Sequence, residues 1–205
     1  RATVRPLVIQ YDDAEFSGPA TATDAQDYEA CLATGDPAFD WRMPLDEWDA
    51  ISINYTSGTT GDPKGVVSHH RGAYLLAQGN ALTTSMAKHA VYLWTLPMFH
   101  CNGWCFPWTL SAIIGTHVCL RQVRAEPIWT ALADEGVTHL CGAPIVMSLM
   151  ISAPEEEKRK LDQTVQFFTA AAPPPEKLLA EMKTAGFDVT PPLWADRNLR
   201  SCRGE

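Results

Sequence analysis

At 205 residues the chain has the length of one large domain or two small ones. A composition of 46% hydrophobic and 20% charged residues is that of a globular protein and excludes wholesale disorder. The net charge of −8 is local, because residues 11–50 hold eleven acids against Arg42 alone while residues 51–205 balance at 13 against 13, so no basic stripe exists to track nucleic acid.

Taken in chain order, Val4–Tyr11 is short and β-rich and reads as a buried strand. Residues 12–50 form a polar, acidic surface excursion with one helix expected at Ala25–Ala33, closed by Gly35 and Pro37. Ala50–Tyr55 alternates and reads as a strand that runs into a Ser/Thr/Gly loop. A helix is expected over His70–Met86, with His69 and His70 at its start, and a strand over Val91–Leu96. Asn102–Ile114 reads as a helix that tolerates Pro107 in its first turns. Strands at His117–Arg121, Val137–Cys141 and Val165–Thr169 then alternate with helices at Pro127–Asp134, Ile145–Ser152 and Pro175–Ala185. Gly136 and Gly186 sit where helices usually stop. Five-residue strands alternating with longer helices predict an α/β fold, with a mostly parallel sheet flanked by helices.

Several classes of protein fit poorly. The longest apolar run, Trp104–Gly115, is shorter than the roughly 20 residues of a membrane helix and carries Pro107, Thr109 and Ser111. No basic-then-apolar leader is visible, which makes the cytoplasm the expected compartment. Six cysteines in a chain of this size do not read as a disulfide framework. There is no Cys-x-x-Cys pair, and Cys119 and Cys141 lie in apolar runs, so buried thiols are expected there and no metal site.

The segment Tyr55-Thr-Ser-Gly-Thr-Thr-Gly-Asp-Pro-Lys-Gly65 carries the chemistry. Four hydroxyls, three glycines and one lysine follow the tyrosine within ten residues. Glycine lets backbone N–H groups turn toward an anion, hydroxyls add donors, and a lysine supplies a mobile positive charge. A strand leading into the loop would set it at a carboxyl edge of the sheet, where α/β proteins bind ligands. The spacing Gly58-x-x-Gly61-x-x-Lys64-Gly65 differs from a Walker A loop, so a phosphotransferase using a true P-loop is disfavoured.

TSGTTGDPKGV resembles the phosphate-loop signature of the adenylate-forming, AMP-binding enzymes: acyl-CoA synthetases, luciferases and peptide-synthetase adenylation domains. The resemblance runs from about Leu7 to Thr190, with Val91–Trp108 similar to the following motif and Thr169–Leu178 similar to the adenine-side loop. The aromatic-rich version is most like the fatty-acyl or medium-chain acyl-CoA synthetase branch, which implies a place in fatty acid metabolism. Such enzymes activate a small-molecule carboxylic acid with ATP and Mg2+ to an acyl-adenylate, then exchange AMP for the thiol of coenzyme A. The resemblance implies that Thr56, Ser57, Gly58, Thr59, Thr60, Gly61 and Lys64 hold the β- and γ-phosphates. It likewise implies that Ala171, Ala172 and Pro173 lie against adenine, that His100 serves catalysis beside the carboxylate, and that His100 and Trp104 line the acyl pocket. The alternative is a non-catalytic nucleotide- or acyl-binding module.

The likeness stops in the last residues. After Thr190 the family continues with a strand and then Tyr-Gly-Leu-Thr-Glu-Thr-Tyr-Gly, whose threonine and glutamate contact AMP and Mg2+. Here the chain reads Pro191-Pro-Leu-Trp-Ala-Asp-Arg-Asn-Leu-Arg-Ser-Cys-Arg-Gly-Glu205. Read one nucleotide out of frame, the codons permitted from Leu193 onward allow Tyr-Gly-Leu-Thr-Glu-Thr-Tyr-Gly-Pro-Ala-Val-Val, twelve consecutive residues. The expectation is therefore a partial N-terminal AMP-binding domain over 1–190 and an out-of-frame, poorly ordered tail over 191–205. With the Thr-Glu motif missing and no C-terminal lid domain in the sequence, the chain is expected to be an inactive, poorly soluble fragment.

Overall fold

A computed structural model describes residues 6–18, 24–55, 61–169 and 174–190. The chain divides into two compact units, 1–43 and 44–205.

In the first unit, β1 (Ile9–Gln10) pairs in parallel with β2 (Gln26–Asp27), which leads into helix α1 (Tyr28–Ala33). Asp27 caps α1, its carboxylate accepting the Ala30 N–H at 2.7 Å, and Glu29 adds a favourable charge to the first turn. Among the described residues of the expected Val4–Tyr11 strand only Ile9–Gln10 are paired, and Leu7, Val8, Ile9 and Tyr11 are exposed, so the expected burial does not hold; the expected helix starts at Tyr28, where Asp27 caps it. No side chain of α1 is buried, as the polar composition of 12–50 implies.

The second unit opens with a hairpin. β3 (Ala50–Tyr55) and β4 (Gly65–His69) pair antiparallel, with Tyr55 opposite Gly65 and Asn54 opposite Val66. The strand before the Gly-rich loop therefore lies in a two-stranded sheet of its own. It is not in the parallel sheet, so the expected carboxyl-edge placement does not hold. A Cβ at Gly65 would lie 2.9 Å from Ile53 Cδ1, the far end of an exposed side chain that can turn aside. Helix α2 (His70–Thr83) follows at once, capped by His69, whose Nδ1 accepts the Gly72 N–H at 3.0 Å. That bond puts the ring proton of neutral His69 on Nε2.

The remaining strands, β5 (Val91–Trp94), β6 (Thr116–Cys119), β7 (His139–Cys141), β8 (Val165–Phe168) and β9 (Phe187–Thr190), form one parallel sheet in the order β6-β5-β7-β8-β9. Helices α3 (Phe106–Ala112), α4 (Ala125–Asp134), α5 (Pro144–Ile151) and α6 (Glu176–Thr184) connect them. The period of two divides the strands between two cores. Leu93, Leu140, Val165 and Phe167 face one way and pack with Ile128 and Trp129 of α4, Met147 and Met150 of α5, and Met182 of α6. Tyr92, Trp94, Cys141 and Phe168 face the other way and pack with Phe106 and Leu110 of α3. Helices thus cover both faces, as expected of an α/β fold.

One expected helix is replaced by two different structures. Residues 102–105 are left-handed, with φ of 48°, 56°, 53° and 62°, inside a tight turn spanning His100–Cys105, and α3 starts only at Phe106. This conformation is costly for L-residues, and glycine, with asparagine and aspartate next, visits it most readily. The run Asn102-Gly103 therefore breaks the helix the apolar pattern implies. Large apolar side chains stand exposed on α2 (Tyr74, Leu75, Leu76, Leu82) and on the hairpin (Ile53, Tyr55, Val66, Val67). Such a surface carries an association liability.

Candidate nucleotide and acid site

The hairpin and the left-handed turn meet across one open cavity of about 920 Å³. Ile51, Ile53, Asn54 and Tyr55 of β3, with Val66, Val67 and Ser68 of β4, form one wall. Phe99, His100, Asn102, Cys105 and Trp108 form the other, and His69, Gly72, Ala73 and Leu76 complete it along α2. The residues that immediately precede the Gly-rich loop therefore share a cavity with His100.

Four of the expected site residues, Gly61, Lys64, His100 and Trp104, lie among the described residues. Thr56, Ser57, Gly58, Thr59, Thr60, Ala171, Ala172 and Pro173 lie outside the described residues. Gly61 and Lys64 are exposed at the returning end of the loop, just before β4. His100 is exposed at the first position of the left-handed turn, its N–H bonded to the Pro97 carbonyl at 3.0 Å. Trp104 does not line the cavity: it is partly buried and packs against the aromatic core of Tyr92, Trp94 and Phe106.

The turn is held from two sides. Ser52 Oγ and Asn54 Nδ2 donate to Asn102 Oδ1 at 2.9 and 2.7 Å. From α2, Asn80 Nδ2 donates to the Trp104 carbonyl at 2.8 Å and to Thr109 Oγ1 at 3.3 Å. Asn54, His69, Asn102 and Cys105 are site-lining residues that the sequence reading did not single out. The Asn-Gly pair at 102–103 is the signal that could have found the turn.

Below this floor lies a second polar cluster. The Tyr92 hydroxyl and Cys141 thiol are 2.7 Å apart, and Thr95 donates its hydroxyl to the Cys141 carbonyl. Burial pushes the Cys141 thiol up to about 12, and burial followed by the Cys141 neighbour raises Tyr92. Burial also raises the Cys105 thiol and lowers His139. Both groups of the Tyr92–Cys141 pair therefore stay protonated at neutral pH, and Cys141 is a structural thiol. Because its folded pKa exceeds its ordinary value of 9.0, its contribution to stability is intact below pH 9 and is lost as pH rises from there toward about 12. At pH 8, iodoacetamide is expected to label exposed Cys119 in the folded chain and Cys141 only after unfolding; mass spectrometry of the alkylated peptides reads the difference. Among the described residues no group of three or more His, Cys, Asp or Glu side chains is placed to hold a metal ion, and no helix is long and apolar enough to cross a membrane.

A five-stranded parallel sheet with helices on both faces, joined by an antiparallel hairpin that lines one cavity with His100, makes this an α/β fold. The sequence pattern of the AMP-binding enzyme family matches residues 2–193, and the chain belongs to that family. It is 50% identical over 190 residues to the peroxisomal acetate/butyrate–CoA ligase of Arabidopsis thaliana, covering 90% of this chain and 33% of the relative. The acetate–CoA ligase of Humulus lupulus is also 50% identical over 190 residues, with the same coverage. Among solved structures, the inhibitor-bound N-terminal domain of FACL13 from Mycobacterium tuberculosis superposes with a TM-score of 0.74 at 27% identity, covering 82% of this chain and 43% of that one. The chain thus spans about a third of the length of these curated relatives.

Proposed function

We propose that this chain is the nucleotide- and acid-binding part of an AMP-forming acid–CoA ligase acting on a short aliphatic carboxylic acid. In the reaction, the carboxylate attacks the α-phosphorus of Mg2+-bound ATP and pyrophosphate leaves. The thiol of coenzyme A then displaces AMP from the acyl-adenylate. Thr56, Ser57, Gly58, Thr59, Thr60, Gly61 and Lys64 would hold the β- and γ-phosphates, with Ala171, Ala172 and Pro173 against adenine. His100 would face the carboxylate. Trp104 would shape the acyl side by packing behind that turn. Catalysis of this kind is mainly positioning and charge neutralisation.

The single observation that carries this reading is the shared cavity, with the strand entering the loop on one wall and His100 on the other. The names of the two plant relatives, an acetate/butyrate–CoA ligase and an acetate–CoA ligase, support a short acid over a long fatty one. The test is equilibrium binding of acyl-sulfamoyl-adenosines, stable mimics of the acyl-adenylate, with 2-, 4- and 12-carbon acyl groups. The butyryl mimic is expected to bind at least about tenfold more tightly than AMP, as intermediate mimics do. Equal binding of mimic and AMP contradicts the function, and preference for the 12-carbon mimic contradicts the short-acid assignment.

We further propose a frameshift near Pro191–Leu193 that leaves the tail over 191–205 out of frame, a reading supported by a family match that ends at 193. In that case the 205 residues by themselves form no thioester from ATP, coenzyme A and acid. DNA sequence across the codons for Thr190–Glu205 checks this, and codons incompatible with the shifted reading contradict it. The Arabidopsis relative is named as peroxisomal; a fluorescent fusion distinguishes that compartment from the cytoplasm expected from the sequence.

A further inference from the structure

We infer that His117 is a positioning residue for the proposed acid site, acting through Trp94 on the turn that carries His100. The inference rests on the proposed ligase reading and extends it to a residue outside the cavity.

Strands β5 and β6 run in parallel, with Tyr92 opposite His117 and Trp94 opposite Cys119. His117 therefore stands one step back along the neighbouring strand, on the face that Tyr92 and Trp94 share. The Trp94 indole N–H donates to His117 Nδ1 at 2.9 Å, and the two rings are coplanar to within 2°. Accepting at Nδ1 puts the proton of neutral His117 on Nε2. The indole is buried, whereas His117 is exposed on β6, the edge strand of the sheet.

The far edge of the same indole lies against the turn. A Cβ on Gly103 would be 2.8 Å from Trp94 Cζ3 and 3.0 Å from Cη2. Gly103 is three residues after His100, between Asn102 and Trp104 in the left-handed run. An indole has one polar atom, so its single hydrogen bond decides how the ring is turned and how its far edge meets Gly103. His117 thus fixes the indole, the indole backs Gly103, and the turn presents His100 and Asn102 to the cavity.

The bond can be removed and restored at one exposed position. Alanine at 117 takes away the acceptor and leaves the buried indole N–H without its side-chain partner. Asparagine carries an amide oxygen at the same branch of the side chain as Nδ1 and keeps an acceptor there. His117 belongs to neither apolar core, so neither change removes core volume.

The experiment measures dissociation constants of butyryl-sulfamoyl-adenosine and of AMP for the 205-residue wild type, His117→Ala and His117→Asn. The readout is the preference for the mimic over AMP, which isolates the acyl side. His117→Ala is expected to reduce that preference about threefold or more, the effect of one hydrogen bond, with AMP affinity held within about twofold. His117→Asn is expected to restore the preference to within about twofold of wild type. A merely structural role would weaken mimic and AMP alike and leave the preference standing. Should His117→Ala fail to fold, His117→Val, a strand former without an acceptor, decides in its place. An unchanged preference in the deciding variant, no rescue by His117→Asn, or unfolding of both His117→Ala and His117→Val overturns the role of His117 and leaves the ligase reading standing. A wild type that binds the mimic no more tightly than AMP overturns both.

Discussion

Replacing Gly103 by alanine is expected to destabilise the fold by roughly 2–5 kcal/mol, the sum of a left-handed backbone penalty and an overpacked core. The φ at Gly103 is 56°, and a Cβ there would lie 2.8 Å from the Trp94 ring and 3.3 Å from the Met98 carbonyl. Neither neighbour can yield freely. Trp94 is buried in the aromatic core and donates its indole N–H to His117 Nδ1 at 2.9 Å. Gly136 provides the control, with φ of 62° and nothing within 4 Å of its Cβ position. Gly136→Ala should therefore carry only the backbone penalty, about 1–2 kcal/mol. Urea midpoints of the two variants measure the difference, and equal losses would show that the Trp94 contact does not constrain the turn.

Trp129→Ala is expected to cost about 3–5 kcal/mol through the cavity it leaves. Trp129 is 2% exposed, packs edge-to-face on Phe187 at 5.7 Å, and donates its indole N–H to the Met150 carbonyl at 3.2 Å. It thereby ties α4 to α5 and to β9. Trp129→Phe keeps most of the volume and removes the donor, so its cost should approach that of one buried hydrogen bond left unmade, about 1–3 kcal/mol. Thermal unfolding of both variants separates packing from hydrogen bonding. Phe99, 81% exposed on the cavity wall, should tolerate alanine within about 0.5 kcal/mol.

The parallel core was readable in advance because its signals are local. Tyr92, Leu93 and Trp94 are apolar on both sides, as a strand covered by helices on both faces must be, and Gly136 and Gly186 stop α4 and α6 with positive φ. β4 was not anticipated. Gly65-Val-Val-Ser-His lacks clean alternation and is a strand through its register with β3, a pairing across the loop that local pattern does not encode. β9 did carry a signal, Phe187 and Val189 inward with Asp188 exposed, but four edge residues are a short run. Within the site, His100 stood out as a motif residue and lines the cavity. The bond from Asn102 to Ser52 could not be read in advance, because fifty residues separate the partners and the left-handed backbone that aims Asn102 overrides the helical pattern around it.

On the proposed function, this chain holds nucleotide through its Gly-rich loop, with Lys64 supplying the charge. The direct measurement is calorimetric titration of the 205-residue chain with Mg·ATP, wild type against Lys64→Ala. Saturable one-to-one binding is predicted for the wild type, weakened at least about tenfold in Lys64→Ala, the equivalent of about 1.4 kcal/mol for one charge-assisted phosphate contact. Absence of binding in the wild type, or equal affinity in the two proteins, would contradict it.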